Sequence, residues 1–173
     1  VSAVKACIKK TGYLYADMHS TQPVKLDAYN GKKAEFIISG DKLFVKSFDA
    51  SNDTFSLFRH TVTNGVVSAA EMLDTSIKAC NIIGADVWYR RSVTGSSLCD
   101  LYKYSTEKEK IDGDVASFAE LPDGSVLIVK NFVSSSDGEI ADLYLYDGKK
   151  TSLVAEKAEL KNMKYSDKGI SFI

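Results

Sequence analysis

Along most of the chain, apolar and polar residues alternate in short runs rich in Val, Ile, Tyr and Phe. Gly, Asn, Asp and Ser bound these runs, the pattern of strands joined by tight turns. Helical periodicity is scarce, and the best helical candidate is "SAAEMLDTSIKAC", residues 68–80. In "DLYLYDG", Leu143 and Leu145 fall on one side of a strand and Tyr144 and Tyr146 on the other. Both sides are large and apolar, so such a strand predicts packing on both of its faces. A hairpin with one face in water would be polar on that face.

The runs repeat. A glycine precedes a β-rich run at Gly12, Gly40, Gly84, Gly124 and Gly169, at intervals of 28, 44, 40 and 45 residues. Each of the first four is followed by a polar loop and a second run: "VKLDAYNG", "TFSLFRHTVTNG", "LCDLYKYS" and "IADLYLYDG". Tyr29, His60, Tyr104 and Tyr146 occupy corresponding places. Self-similarity near 40–45 residues with about four strands per period predicts β-propeller blades. A four-stranded blade cannot bury both faces alone and must lean on its neighbours. The expected fold is all-β: a small propeller of about four blades, or part of a larger one. The expected blade units are 1–38, 39–76, 77–114, 115–158 and an incomplete 159–173. "DLYLYDGKK" reads as a third strand turning into a fourth, "TSLVAEKA" (151–158). Each glycine is expected at a tight turn with φ > 0.

Composition narrows the function only by exclusion. The 173 residues carry a net charge of −1, with Arg59, Arg90 and Arg91 as the only arginines. No global field favours nucleic acid, and bidentate phosphate reading is poorly supplied. No apolar run reaches the roughly 20 residues that span a bilayer as a helix, so no membrane span is expected. The chain opens on Val1 without a signal-peptide pattern, which reads as a mature or cut product. Cys7, Cys80 and Cys99 fit no zinc or redox spacing. They are read as partly buried thiols, with a Cys80–Cys99 or Cys7–Cys80 bridge as the alternative.

The stretches "DVWYRR…DLYKYS" (86–105) and "SVLIVKNF…DLYLYDGKK" (125–150) resemble the bacterial TolB-like and Tyr-Trp-Thr-Asp-type propeller repeats. Neither a Trp-Asp strand ending nor a Tyr-Trp-Thr-Asp string is present. The resemblance implies an extracytoplasmic protein on a bacterial cell surface that binds a protein or a glycan. It transfers no catalytic residue.

A blade meander sends alternate loops to opposite ends. The connections "HSTQP" (19–23), "DASND" (49–53), "VTGSS" (93–97) and "SSSDGE" (134–139) are expected on one rim, rich in hydroxyls and carboxylates. "NGKK" (30–33), "TNG" (63–65), "STEKEK" (105–110) and "DGKK" (147–150) are expected on the other, with Lys32, Lys33, Lys108, Lys110, Lys149 and Lys150. The first rim is the expected contact surface, through Asp49, Ser51, Asp53, Ser135, Asp137 and Glu139. Polar loops with lysine guarding strand ends are the plain alternative. Arg90 and Arg91 in "WYRR" join the binding set, because arginine beside aromatics marks contact hot spots. Trp88 is expected in the core.

No cofactor is expected. "DASND" places Asp49, Ser51 and Asp53 at alternate positions, as a calcium loop does, but lacks the glycine and closing glutamate such a loop needs. His19 and the serines have no nucleophile elbow around them. The expected function is a non-catalytic binding or scaffold module with a protein or glycan partner, or with the rest of a larger propeller. The alternative is a hydrolase using loop carboxylates in the propeller mouth.

Overall fold

A computed structural model describes residues 7–9, 13–15, 24–25, 33–51, 53–63, 66–83, 86–136, 138–166 and 169–172. Every regular element among them is a strand, apart from one 3-10 turn at Leu160–Asn162. The all-β expectation therefore holds. Three short strands, β1 (Cys7–Lys9), β2 (Tyr13–Tyr15) and β3 (Val24–Lys25), form one antiparallel sheet. A separate hairpin joins β15 (Met163–Ser166) to β16 (Gly169–Phe172). The main sheet has eleven strands and is open, with β4 (Ala34–Ser39) and β14 (Thr151–Glu159) as its end strands. No hydrogen-bonded ladder joins those two strands among the described residues. The expected division into the separate sheets of a closed propeller is thus not seen among the described residues. The chain divides into two compact units, Val1–Arg91 with Lys103–Lys108, and Ser92–Tyr102 with Glu109–Ile173.

In the first unit β4 pairs with β5 (Lys42–Phe48), β5 with β6 (Phe55–Thr63), and β6 with both the two-residue β7 (Val66–Val67) and β8 (Glu71–Ile83). Gly40, at φ 59, makes the turn from β4 to β5, a backbone state that costs glycine little. Leu43, Phe44 and Val45 are all buried, although Phe44 faces away from its two neighbours. Leu43 and Val45 pack with Phe36, Ile38, Phe58 and Val62. Two-sided burial is what the apolar runs predicted, and each such side chain contributes roughly 1.5–3 kcal/mol.

Strand β8 corrects the helical expectation for 68–80. It changes partner midway: Glu71–Ile77 pair with β6, and Ile77–Ile83 pair with β9 (Asp86–Ser92). Ser76 sits at that change with φ 58, which no helix accommodates. Leu73 and Ile77, four residues apart, are both buried. A spacing of four places side chains on one face of a helix and on one face of a strand alike, so it did not discriminate.

In the second unit β10 (Cys99–Tyr104) contributes its first residues, and β11 (Lys108–Glu120) its greater part. β11 repeats the device seen in β8. Its ladder with β12 (Val126–Ser135) begins at Val115, directly after Asp114 at φ 56. Upstream of that bend, Lys110 meets Asp100 of β10 at 2.8 Å. Asp74 and Asp112 each lie two residues before the positive φ. Each accepts the next backbone N–H on Oδ1, from Thr75 at 2.8 Å and from Gly113 at 2.7 Å. Each also meets a lysine, Lys108 at 3.2 Å and Lys130 at 3.0 Å. The aspartate holds the backbone in its bend while the lysine balances the charge.

The remaining strands are β13 (Gly138–Tyr146) and β14, in the order β12–β13–β14. Leu127, Val129, Ala141 and Leu143 form their core, joined by Leu121, Ala155, Ala158 and Leu160. "DLYLYDGKK" is indeed a strand turning into the next. The turn into β12 is tight: Gly124, at φ 82, donates to the Leu121 carbonyl at 2.9 Å. Bulges at Asn131 (φ 49) and Lys157 (φ 50) bend β12 and β14. Asp142 ties both, accepting from Asn131 Nδ2 at 2.7 Å and from Lys157 N–H at 2.8 Å.

Candidate functional site

A concavity lies at the end of β5, within the first unit. Antiparallel pairing of Ala34 with Ser47 sets Lys33 beside Phe48, whose N–H donates to the Lys33 carbonyl at 3.0 Å. Lys33 therefore shares an end of the sheet with the "DASND" loop. This corrects the expected segregation of lysine loops from hydroxyl loops. Lys33 leads into a strand that pairs forward with β5, so the register places it with the Asp49 loop, while residues 30–32 lie outside the described residues.

The loop closes on its own aspartate. Asp49 Oδ1 accepts from Ser51 Oγ at 2.8 Å, while Oδ2 accepts from Thr54 N–H at 3.2 Å and also from the Thr54 hydroxyl. Asp49 N–H in turn donates to the Thr54 carbonyl at 3.0 Å, and Asp53 N–H to Ser51 Oγ at 3.3 Å. Asp49, Ser51 and Asp53 are thus brought together, with the Asp49 oxygens engaged in turn closure. Among the described residues, no group of three or more His, Cys, Asp or Glu is placed to hold a metal ion.

Beside this loop runs a groove of about 740 Å³. Phe48 and Phe55 lie along it, their ring centroids 5.5 Å apart and tilted by 54°. The ammonium of Lys33 stands 4.9 Å from the centre of the Phe48 ring. Hydroxyls complete the wall, from Ser47, Thr54 and Ser56 and from Thr75 and Ser76 at the bend of β8. Ser47 is buried, whereas Lys33 and Asp49 are exposed. The volume lies within the roughly 300–1,000 Å³ usual for small-ligand sites. A strained residue such as Ser76 in its wall is the kind of outlier that gathers at binding sites.

The arginine pair separates. Arg91 lies 3.5 Å through Nε from Asp74 Oδ1, close enough for ionic attraction but not aligned as a hydrogen bond. The Tyr89 hydroxyl donates to Asp74 Oδ2 at 3.0 Å, so Tyr89 and Arg91 share a face as strand alternation requires. Lys108 completes this buried knot around Asp74. Arg90 pairs in the ladder with Ala79 and lies half-buried. Trp88 is buried, as expected, with the Lys103 ammonium 5.5 Å from its ring centre. In the second unit, Ser135 donates to the Gly138 carbonyl at 3.2 Å, and Glu139 pairs with Ser134 at the exposed end of the β12–β13 hairpin. Asp137 lies outside the described residues.

A third polar cluster is Glu71 with Arg59 and Tyr104. Arg59 donates through Nε at 3.0 Å and Nη2 at 2.8 Å to Glu71 Oε2, and Tyr104 donates to Oε1 at 2.9 Å. The guanidinium also lies 5.0 Å from the Tyr104 ring centre. The Arg59 hydrogen bond, with help from Tyr104, holds the Glu71 carboxyl below the usual glutamate range. Burial, and then the bond to Glu71, push the Tyr104 phenol up. His60 is a buried sheet residue whose Nδ1 donates to the Ser68 carbonyl at 2.9 Å. The Cys80 and Cys99 thiols are free, so neither proposed bridge through Cys80 forms. Burial raises the Cys80 thiol above its ordinary range, away from nucleophilic use.

The sequence reading missed the groove's aromatic floor and the Asp74 knot. A signal for the knot was present: "LDTSI" (73–77) and "IDGDV" (111–115) match at a spacing of 38 residues. Comparison with protein-family models and with curated proteins returns no match to this chain.

Proposed function

We propose that this chain is a non-catalytic binding module of a bacterial cell-envelope protein, built from propeller-type blades, that takes a protein or glycan partner in the groove beside the Asp49 loop. The observation that carries the reading is the groove itself. It offers hydroxyls, an aromatic floor and an exposed lysine, while Asp49, the carboxylate in its wall, is spent on closing its own loop. Such a lining suits recognition by hydrogen bonding and shape rather than acid–base chemistry. The blade reading draws support from β8, which ends one four-strand ladder and begins the next. The envelope setting follows from the resemblance of residues 86–105 and 125–150 to secreted propeller repeats.

The test is an array of bacterial surface glycans and peptides probed with the whole chain. A hit should weaken at least tenfold when Ser56→Tyr fills the groove, with the circular dichroism spectrum unchanged. Equal binding by the folded variant to every hit would refute the assignment of the groove.

A further inference from the structure

We infer that the groove beside the Asp49 loop selects a carboxylated saccharide, with Lys33 receiving the carboxylate and the Ser/Thr wall receiving the sugar hydroxyls. This rests on the binding-module reading above and sharpens it to one class of ligand.

Three features of the wall point to a saccharide. Five hydroxyl side chains line it: Ser47, Thr54, Ser56, Thr75 and Ser76. A hydroxyl both donates and accepts, which matches a polyol whose every group does the same. The backbone groups an extended peptide would need are already used, since Phe48 N–H goes to Lys33 and Asp49 N–H to Thr54. Strand addition at this edge of the groove is therefore closed. The volume of about 740 Å³ is on the scale of ordinary small-ligand sites.

Charge then narrows the class. Lys33 is exposed, and no carboxylate among the described residues is paired with it. Its contact with the Phe48 ring, 4.9 Å to the centre, steadies the ammonium at the rim. An exposed cation–π contact is weak enough to share the ammonium with an arriving anion. Asp49, the other charged group in the wall, is already bound by Ser51 and Thr54. The nearby Lys46 is neutralised by Glu35 at 3.5 Å. Among the described residues, the groove thus presents the Lys33 ammonium without a carboxylate partner, set among hydroxyls.

The test is titration of the 15N-labelled whole chain with three acidic trisaccharides, bearing galacturonate, glucuronate or sialate, and with their uncharged counterparts. A tri-aspartate peptide serves as the anionic control. The expected result is movement of the Ser47, Phe48, Phe55, Thr75 and Ser76 amides by at least one acidic sugar. That sugar should bind at least tenfold more tightly than its neutral counterpart, and the gap should narrow as salt is added. Lys33→Gln should abolish the preference, and Lys33→Arg should keep it. Because Lys33 is exposed, both variants should fold. Equal binding of neutral and acidic sugars in the groove, a preference surviving Lys33→Gln, or tighter binding of tri-aspartate would overturn this inference and leave the binding-module reading intact. If no sugar and no array ligand moves the groove amides, both fall.

Discussion

Replacing Asp74 with alanine tests how much of the first unit depends on one buried carboxylate. Among the described residues, four groups approach it: the Thr75 N–H at 2.8 Å, the Tyr89 hydroxyl at 3.0 Å, Lys108 at 3.2 Å and Arg91 at 3.5 Å. Tyr89 has no exposed surface, so losing its acceptor costs the desolvation of a hydroxyl, about 1–3 kcal/mol. The Thr75 N–H adds about 1 kcal/mol. The side chains of Lys108 and Arg91 are 40% and 39% exposed, so water replaces their partner and each ion pair contributes about 0–1 kcal/mol. The expected loss is about 3 kcal/mol, below what breaking a fully buried pair would cost. With a urea slope near 2 kcal/mol/M, the midpoint should fall by about 1.5 M. Trp88, the single tryptophan, is buried in the adjoining strand and reports the transition by fluorescence. Tyr89→Phe alone should cost about 1 kcal/mol. Added to Asp74→Ala it should cost less than it does alone, because the bond the two share is already gone. A loss below about 1 kcal/mol for Asp74→Ala, or simple additivity in the double variant, would refute the knot as an energetic unit.

Two further expectations follow from the bends and the ion pairs. Ser76→Gly should leave the melting temperature unchanged or raised. Relief of a left-handed backbone, about 1–2 kcal/mol, outweighs or matches the flexibility glycine adds, about 0.5–1 kcal/mol. Ser76→Val should lower it, and equal losses for both would contradict the bend. Glu71 titrates lower in the folded chain than its ordinary value of 4.5, so its contribution to stability is complete above that value and disappears as pH falls through the lower folded one. Glu71→Gln should flatten that part of a melting profile taken from about pH 3 to pH 7. An unchanged acid limb would assign the dependence to other carboxylates.

Strand and turn chemistry was readable wherever local rules act alone. The β-rich runs after Gly40 and Gly124 are β5 and β12, and both glycines adopt the positive φ the turns demanded. The two-sided burial of Leu143 and Tyr146 followed from their alternation in one apolar strand. What escaped was set by non-local partners. Ser76 and Asp114 hold positive φ without being glycine, because an aspartate two residues earlier fixes the turn of the chain. Nothing in the periodicity of 68–80 announces that. Lys33 was assigned to the wrong end because its loop was matched to other lysine loops by composition, whereas register with Ser47 decides its place. Asp49 and Ser51 were expected to face a partner from an open loop, yet their short side chains reach each other and Thr54.

Strand β8 serves two ladders through one residue, Ile77, and so leaves no neutral seam at its middle. Clipping the chain there would strip an edge from β6 and from β9 in the same stroke. A designer lengthening the sheet would do better to splice at the reverse turns, where no residue is held by two ladders at once. An inserted segment would then begin and end in hairpin loops and carry each bent strand whole.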